Sequence, residues 1–344
     1  MHALVIHAPR DLRVEETPTP EIGPHQLLVR IRAGGICGSD LHYFQHGGFG
    51  TVRISEPMIL GHEVSGVVQE AGPGNDDMLP GTRIAISPSR PCGLCQYCQQ
   101  GLQNHCLDMR YYGSAMRKPH VQGAFRQQIV IDRSQAHSVS DQLSDGEAAM
   151  AEPLSVALHA ARRAGPLLGK RVLVTGCGPI GALIVAAARR AGAAEIVVTD
   201  VSALPLASAL KMGADEVFNV AENPDALARF ATSKGTFDVL FEASGNERAL
   251  RGALDVVRPR GVLVQVGLGG DMNLPVNVLV AKEFDLRGAF RFHEEFAVAV
   301  ELLNKGLIDV KPLISAIFPY QDSVKAFEFA ADRSRAMKVL VNFE

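Results

Sequence analysis

Residues 171–200, RVLVTGCGPIGALIVAAARRAGAAEIVVTD, decide how the rest of the chain is read. They open with an apolar β-branched run, Val172–Thr175, suited to a parallel strand buried on both faces. Gly176-Cys177-Gly178-Pro179-Ile180-Gly181 follows, then an alanine-rich apolar stretch to Ala191 and a stop at Gly192. A second apolar run, Ile196–Val198, ends at Asp200. Pro179 suits the first turn of a helix, where its missing N–H costs nothing. Alone, G-x-G-x-x-G marks only a flexible turn. Set between strand and helix, with an acid 24 residues after its first glycine, it predicts a dinucleotide site. Gly176 allows the tight turn, Gly178 lets the backbone approach a pyrophosphate, and Gly181 lets the helix pack against the strand. The helix start adds free N–H groups and a positive dipole end for the phosphates. Asp200 fits a ribose 2′-hydroxyl, and no Lys or Arg follows it until Lys211, which predicts NAD over NADP.

Downstream, strands and helices alternate. Strands are expected at Glu216–Asn219, Asp238–Glu242, Val262–Val266 and Phe284–Arg287, with helices at Leu206–Met212, Asp225–Thr232 and Glu247–Val256. With the opening unit this makes six strands, enough for a doubly wound parallel sheet. Gly245 and the Val266-Gly267 pair end their strands on the side where ligands bind, and are expected to line the nicotinamide pocket.

Upstream, from Met1 to about Val139, short β-rich runs are broken by Gly and Pro, as at Thr17-Pro18-Thr19-Pro20 and Leu79-Pro80-Gly81. Ala3–Ile6, Gln26–Arg32, Glu63–Glu70, Arg83–Ser87 and Phe125–Ile131 read as strands of a mostly antiparallel barrel with no long helix. Asp145–Ala164 reads as a helix, with Glu152 before Pro153 at the entry to the nucleotide half. The tail is expected to form helices at Ala297–Asn304 and Ser323–Ala331 and a strand at Lys338–Phe343 that returns to the first half.

Two groups in the barrel half carry metal-ligand chemistry. Cys37, in GGICGSDLHY (34–43), and His62, in Gly61-His62-Glu63, each follow a strand-like run at a glycine turn. An isolated pair of this kind is most simply a buried thiol and a core histidine. Ser39, Asp40 and His42 change the balance, because a zinc-bound imidazole needs an acceptor on its other nitrogen and a hydroxyl with a second histidine can carry a proton away. The second group is Cys92-x2-Cys95-x2-Cys98-x7-Cys106, four thiols on one loop, as a closed tetrahedral zinc site requires. An iron–sulfur cluster of ferredoxin type is disfavoured by the last spacing and by the absence of Cys-Pro. Four protein ligands leave no place for a substrate, so this second zinc is structural.

At 344 residues the chain suggests two domains. A net charge of −3 gives no electrostatic case for nucleic acid or an anionic membrane. No apolar run approaches the roughly 18 residues of a membrane span. The N-terminus reads directly as a strand and lacks a signal peptide's charged start. Cysteines used for metal point to a reducing compartment, so a cytoplasmic protein is expected.

Cys37 with Ser39 and His42, the Gly61-His62-Glu63 turn, the four-cysteine lobe and the glycine turn, in this order and spacing, resemble the zinc-dependent medium-chain alcohol dehydrogenases over essentially the whole chain. AEPLSV (151–156) is similar to the polyol dehydrogenase branch; within it DMRYYGSAM (108–116) and GAFRF (288–292) resemble the members acting on the sugar acid L-idonate. The resemblance implies a GroES-like β-barrel catalytic domain, 1–148 with 290–344, and a Rossmann NAD-binding domain, 149–289. It implies a catalytic zinc on Cys37 and His62, Glu63 near or alternating on the metal, and Glu152 as the remaining acid. Ser39 would take the substrate proton and pass it towards His42. A sugar acid or polyol substrate and a homotetramer are also implied. A sugar acid needs its carboxylate met, and arginine does this best. Arg291, where polyol relatives place a cleft residue, and Arg110, between Met109 and two tyrosines, are the candidates, with Tyr43 a further substrate-side residue. Sorbitol, xylitol or threonine would be the alternative substrates. A non-catalytic nucleotide-binding relative would dispense with the metal ligands that this chain keeps.

Overall fold

In the computed structural model, which describes residues 1–344, two sheets organise the chain. The first is parallel and six-stranded, in the spatial order Glu216–Asn219, Glu195–Asp200, Arg171–Thr175, Phe237–Glu242, Val257–Gln265, Asp285–Gly288. It starts at Arg171–Thr175 and grows first to one side, then to the other, so a crevice opens at the carboxyl ends of its central strands. Val172, Leu173, Val174, Val197, Leu240 and Phe241 are fully buried or nearly so, which is why these strands read as continuous apolar runs. The helix Pro179–Arg190 begins with Gly178 as its N-cap and packs its buried Ala182–Ala188 face inward. A side chain at position 181 would put its Cβ 2.1 Å from the Gly176 carbonyl oxygen, so only glycine lets the helix start this close to the strand.

The second sheet has seven strands. Its main path runs Ala136–Ser138, Arg83–Ile86, Glu63–Ala71, Gln26–Gly35, Lys338–Asn342, Ile314–Pro319, and Gln128–Asp132 also pairs with Gln26–Gly35. Gly35 lies opposite Glu63 on one side and Leu340 on the other. The last strand of the chain therefore runs beside the strand ends that carry Cys37 and Glu63. A small sheet of His2–Ala8, Asp11–Glu16 and Met58–Ile59 closes the barrel half, around a core that includes Leu4, Leu27, Ile31, Met58 and Phe125.

The barrel half contains a short helix, Gly38–His46, and no long one. Three features depart from the reading of the sequence. Asp145–Ala164 is two helices, Asp145–Ala149 and Ala151–Ala164, the first started by a capping box of Ser144 and Glu147. In place of a helix at Asp225–Thr232 there is a tighter 3-10 stretch, Ala228–Lys234, broken by extended backbone at Thr232. Ile314–Pro319, not expected as a strand, pairs parallel with Lys338–Asn342; its residues are only half-buried or exposed, so it shows no apolar run. Phe292, Phe296, Val300, Leu303 and Leu313 share one core with the Ala151–Ala164 and Pro179–Arg190 helices, and the chain rejoins the barrel sheet only at Ile314. No helix is long and apolar enough to cross a membrane.

Candidate active site

Two turns bring Cys37 and His62 together, and Asp40 locks them. Cys37 is the N-cap of the Gly38–His46 helix; the Asp40 carboxylate reaches back to accept from its backbone N–H at 3.0 Å and across to accept from Gly61 N–H at 3.2 Å. Asp40 is fully buried, so these two bonds fix the ligand-bearing turns against each other. Gly61 has φ 90°, and a Cβ there would meet the Phe125 ring at 2.0 Å. The acceptor expected for the His62 ring is not within hydrogen-bond reach, since Asp40 Oδ1 lies 3.9 Å from His62 Nδ1, and that nitrogen is buried without a partner.

Ligand atoms of Cys37, His62 and Glu63 all lie within 4.8 Å of one another. Burial works against the His62 imidazolium, yet Asp40 and Cys37 together hold its pKa well above the ordinary value. Thiol, imidazole and carboxylate donors converging in one buried pocket, with an orphaned ring nitrogen among them, match the donor set that zinc takes.

The two glutamates differ in what holds them. Both Glu63 oxygens accept from Lys338 Nζ at 2.7 Å, and the same ammonium donates to the Ile36 carbonyl at 3.0 Å. Gly35 makes this possible, because a Cβ there would stand 2.2 Å from Glu63 Oε2. Glu152 lies in the first turn of the Ala151–Ala164 helix, buried, with the Tyr111 hydroxyl donating to its Oε1. Burial pushes the Glu152 carboxyl up to about 7, against the opposing pull of His62. Tyr111 also sets its ring 5.6 Å from that of His62.

Ser39 and His42 stand three apart on the Gly38–His46 helix and so share a face. The His42 ring packs 6.0 Å from Phe49 and 6.1 Å from His46; partial desolvation, then the charges of His46 and Arg333, hold its pKa below the ordinary imidazole value. Tyr43 is 1 % exposed and its hydroxyl accepts from Ala115 N–H at 3.0 Å. It anchors the 111–116 segment and offers substrate no ring face.

Arg291 and Arg110 part company. The Arg291 guanidinium lies 4.2 Å above the Tyr111 ring and 5.0 Å from that of Phe290, with Met116 Sδ at 3.2 Å, and makes no ion pair. Arg110 precedes Tyr111 on the two-residue strand Arg110–Tyr111; strand alternation sends the buried Tyr111 inward and leaves Arg110 exposed, outside this cluster.

The four cysteines cluster as their spacing requires, with all Sγ atoms within 4.8 Å of one another. Cys106 Sγ accepts from Cys92 N–H at 3.1 Å and from Asp108 N–H at 3.3 Å, and Cys92 Sγ accepts from Cys95 N–H at 3.3 Å. Backbone N–H groups of Cys98 and Leu107 bring Cys95 down to about 6, while burial pushes Cys98 up to about 12. Amides turned onto the sulfurs of Cys92, Cys95 and Cys106 favour thiolates there, and the raised Cys98 thiol would give up its proton only to a bound cation, so the four sulfurs fit a closed zinc site.

At the carboxyl ends of the parallel strands, Gly176 has φ 81° and a Cβ on it would strike Ser244 at 2.6 Å, whereas one on Gly178 would meet nothing within 4 Å. The open face at Gly178, ahead of Pro179, Ile180 and Gly181 at the helix start, is the cradle that a pyrophosphate needs. Asp200 Oδ2 accepts from Cys177 N–H at 2.7 Å and Oδ1 from Val201 and Ser202 N–H, which fixes the acid beside the turn. Gly245 and Gly267 pack directly against each other; a Cβ on Gly267 would sit 2.1 Å from Gly245 nitrogen. Val266 precedes this contact, its N–H donating to the Glu242 carbonyl.

Lys338 and the role of Tyr111 were not read from the sequence. A lysine opening the apolar run Val339-Leu340-Val341 was the available sign of the first. The paired aromatics beside Arg110 hinted at the second without showing which faced inward.

Comparison with known proteins accounts for this arrangement. The alcohol dehydrogenase GroES-like domain matches residues 23–141, and the zinc-binding dehydrogenase family matches 179–305. The chain is 47% identical to L-idonate 5-dehydrogenase (NAD(P)(+)) of Escherichia coli K12 over 317 residues, covering 92% of this chain and 91% of that one. It is 37% identical to sorbitol dehydrogenase of Bacillus subtilis over 347 residues, 99% and 97% of the two chains. The crystal structure of the E. coli L-idonate 5-dehydrogenase matches with a TM-score of 0.96 at 44% identity, covering 99% of this chain and 98% of that one. With a GroES-like barrel, a Rossmann sheet and both cysteine-containing sites in place, the chain belongs to the NAD-dependent zinc alcohol dehydrogenases.

Proposed function

We propose that the chain oxidises a secondary alcohol of a sugar acid, L-idonate at C5 to 5-keto-D-gluconate, reversibly and with NAD. The observation that carries this reading is Arg291, a half-buried cation without a carboxylate partner, stacked on the tyrosine that holds Glu152. A planar guanidinium free to receive two oxygens suits a substrate carboxylate, and a neutral polyol would leave it unpaired. When bound, zinc supplies Lewis acidity at neutral pH and NAD the hydride acceptor.

The chain's own residues do the rest. Cys37, His62 and Glu152 are the catalytic ligands of this reading. Lys338 keeps Glu63 engaged, so Glu63 serves as a reserve carboxylate near the metal and Tyr111 steadies Glu152. Ser39 takes the proton of the substrate hydroxyl, and His42, with its lowered pKa, receives it as the neutral base. Cys92, Cys95, Cys98 and Cys106 hold the structural zinc. The glycine turn meets the pyrophosphate, and Asp200 the adenosine ribose, where a 2′-phosphate would meet like charge; NAD is therefore preferred over NADP.

All six thiols are unpaired, which fits a cytoplasmic setting. We assign the homotetramer to two exposed apolar surfaces. The first takes in the unpaired outer edge of Asp285–Gly288 and exposed Val276 and Val280 on the helix that precedes it in the chain; the second is Leu94 and Leu107, exposed on the four-cysteine lobe. The test of the reaction is NADH formation by zinc-loaded enzyme on L-idonate, sorbitol, xylitol and L-threonine, with NADP run beside NAD. The highest kcat/KM is expected for L-idonate with NAD, and a preference for any of the other three substrates would overturn the substrate assignment.

A further inference from the structure

The segment carrying Arg291 is fixed on both sides, and one of the anchors is the four-cysteine lobe. On one side Phe292 is 1 % exposed and stacks on Phe296 at 5.7 Å, inside the core of the nucleotide-binding half. On the other, the Phe290 carbonyl accepts from Asn104 Nδ2 at 3.0 Å, and the Phe290 ring stacks on that of His105 at 6.1 Å. Asn104 and His105 belong to the single turn Gln103–His105 that leads into Cys106. Asn104 is itself buried and stands two residues before Cys106, whose sulfur clusters with those of Cys92, Cys95 and Cys98.

Between these anchors Arg291 has φ 55°. A non-glycine residue holds the left-handed conformation only where its surroundings impose it. Here it turns the guanidinium back over Tyr111 instead of letting it swing out to solvent. The lobe, 186 positions away along the chain, thus shapes a residue of the cleft without touching the metal ligands there.

We propose that the four-cysteine lobe is a specificity element of this enzyme, with Asn104 the positioning residue that holds the Phe290 peptide and so keeps Arg291 poised for the substrate's carboxylate. The inference rests on the reading of Arg291 given above. Without the Asn104 bond the Phe290 peptide can rotate and Arg291 can relax to negative φ. A relaxed arginine still attracts an anion but must be ordered when the anion binds, so the cost falls on KM for the acid. Neutral polyols have no group for Arg291 to receive and are indifferent to its order.

The experiment uses full-length, zinc-loaded enzyme and the variants Asn104→Ala, His105→Ala, Arg291→Met and Asn104→Ala/Arg291→Met. Zinc content, and kcat and KM on L-idonate and sorbitol, are measured for each. Asn104→Ala is expected to keep both zinc ions, to raise KM for L-idonate about three- to tenfold, the range of one net hydrogen bond, and to move sorbitol by less than twofold. His105→Ala, an exposed ring that the fold can lose, should move L-idonate in the same direction by less. In the Arg291→Met background, Asn104→Ala should add nothing, because its effect runs through the arginine. Equal losses on both substrates would make Asn104 a general structural support and overturn the inference. If Asn104→Ala sheds the structural zinc, His105→Ala decides, and an unchanged ratio of the two substrates there overturns it. Arg291→Met that leaves the acid preference intact would refute the reading of Arg291 itself. Arg291→Met that erases the preference, with both lobe variants silent, would refute only the role of the lobe.

Discussion

Replacing Lys338 with methionine keeps an apolar stem of similar reach and removes the ammonium that satisfies both Glu63 oxygens and the Ile36 carbonyl. Lys338 is 3 % exposed and Glu63 1 %, so water does not take over those bonds. Breaking one side of a buried pair costs about 3–5 kcal/mol, because the remaining charge is left uncompensated. At about 2–4 °C per kcal/mol for a folding unit of this size, Lys338→Met should lower the melting temperature of the barrel half by roughly 6–20 °C. Removing both charges is a different perturbation. Glu63→Gln/Lys338→Met leaves no orphaned charge and should recover most of the loss. The released Glu63 also stands among the ligand atoms of Cys37 and His62, so the single variant should lose kcat as Glu63 competes with Glu152. The assay is scanning calorimetry of zinc-loaded wild type, both single variants and the double variant, with NADH formation measured in parallel. A Lys338→Met protein melting within 2 °C of wild type, or a double variant no more stable than it, would refute this account of the pair.

Three further outcomes follow from the same geometry. Cys106→Ser should lose one zinc and with it stability or assembly, while Cys37→Ser keeps the fold and nearly abolishes turnover; atomic emission and calorimetry separate the two. His42→Gln should slow alcohol oxidation about 10²-fold near neutral pH, with the deficit shrinking as solvent base takes over at high pH and zinc content unchanged. Glu295 tests linkage away from the site. Burial alone would raise its pKa, but the His159 ring at 3.0 Å and the His293 N–H hold it at about 2, below the unfolded value. Its contribution is therefore complete above about pH 4.5 and lost as pH falls towards 2, so the stability gap between wild type and Glu295→Gln should narrow across that window in urea melts.

What the sequence shows of this molecule is what depends on short stretches of chain. The glycine turn is legible because each glycine answers a local demand, a positive φ at Gly176 and a close helix–strand approach at Gly181. The four cysteines are legible as a cluster because one loop carries all four thiols. Asp40 was identified as a partner of the metal site, but its work differs from the expected bond to His62. A helix starts at Gly38, and the free amide at Cys37, with that of Gly61 alongside, claims the carboxylate first. Lys338 meets Glu63 across 275 positions through strand pairing that no local pattern encodes. Tyr111 and Arg110 are neighbours, and only the pairing of their strand with Ser89–Arg90 decides that the tyrosine faces the site. The packing of the Glu295–Asn304 helix was hidden for a similar reason, since its sequence does not say which core receives its apolar face.

The most direct test of the account is the ratio of kcat/KM for L-idonate to that for sorbitol, measured on zinc-loaded enzyme with NAD and repeated on Arg291→Met. A site that leaves a half-buried charge unpaired with the wrong substrate discriminates by up to roughly 10²-fold, so the wild-type ratio should approach that size. Arg291→Met should collapse it by losing activity on the acid while sorbitol changes little. A wild-type enzyme that prefers sorbitol, or a ratio that survives the loss of Arg291, would contradict the claim that this arginine selects a sugar acid.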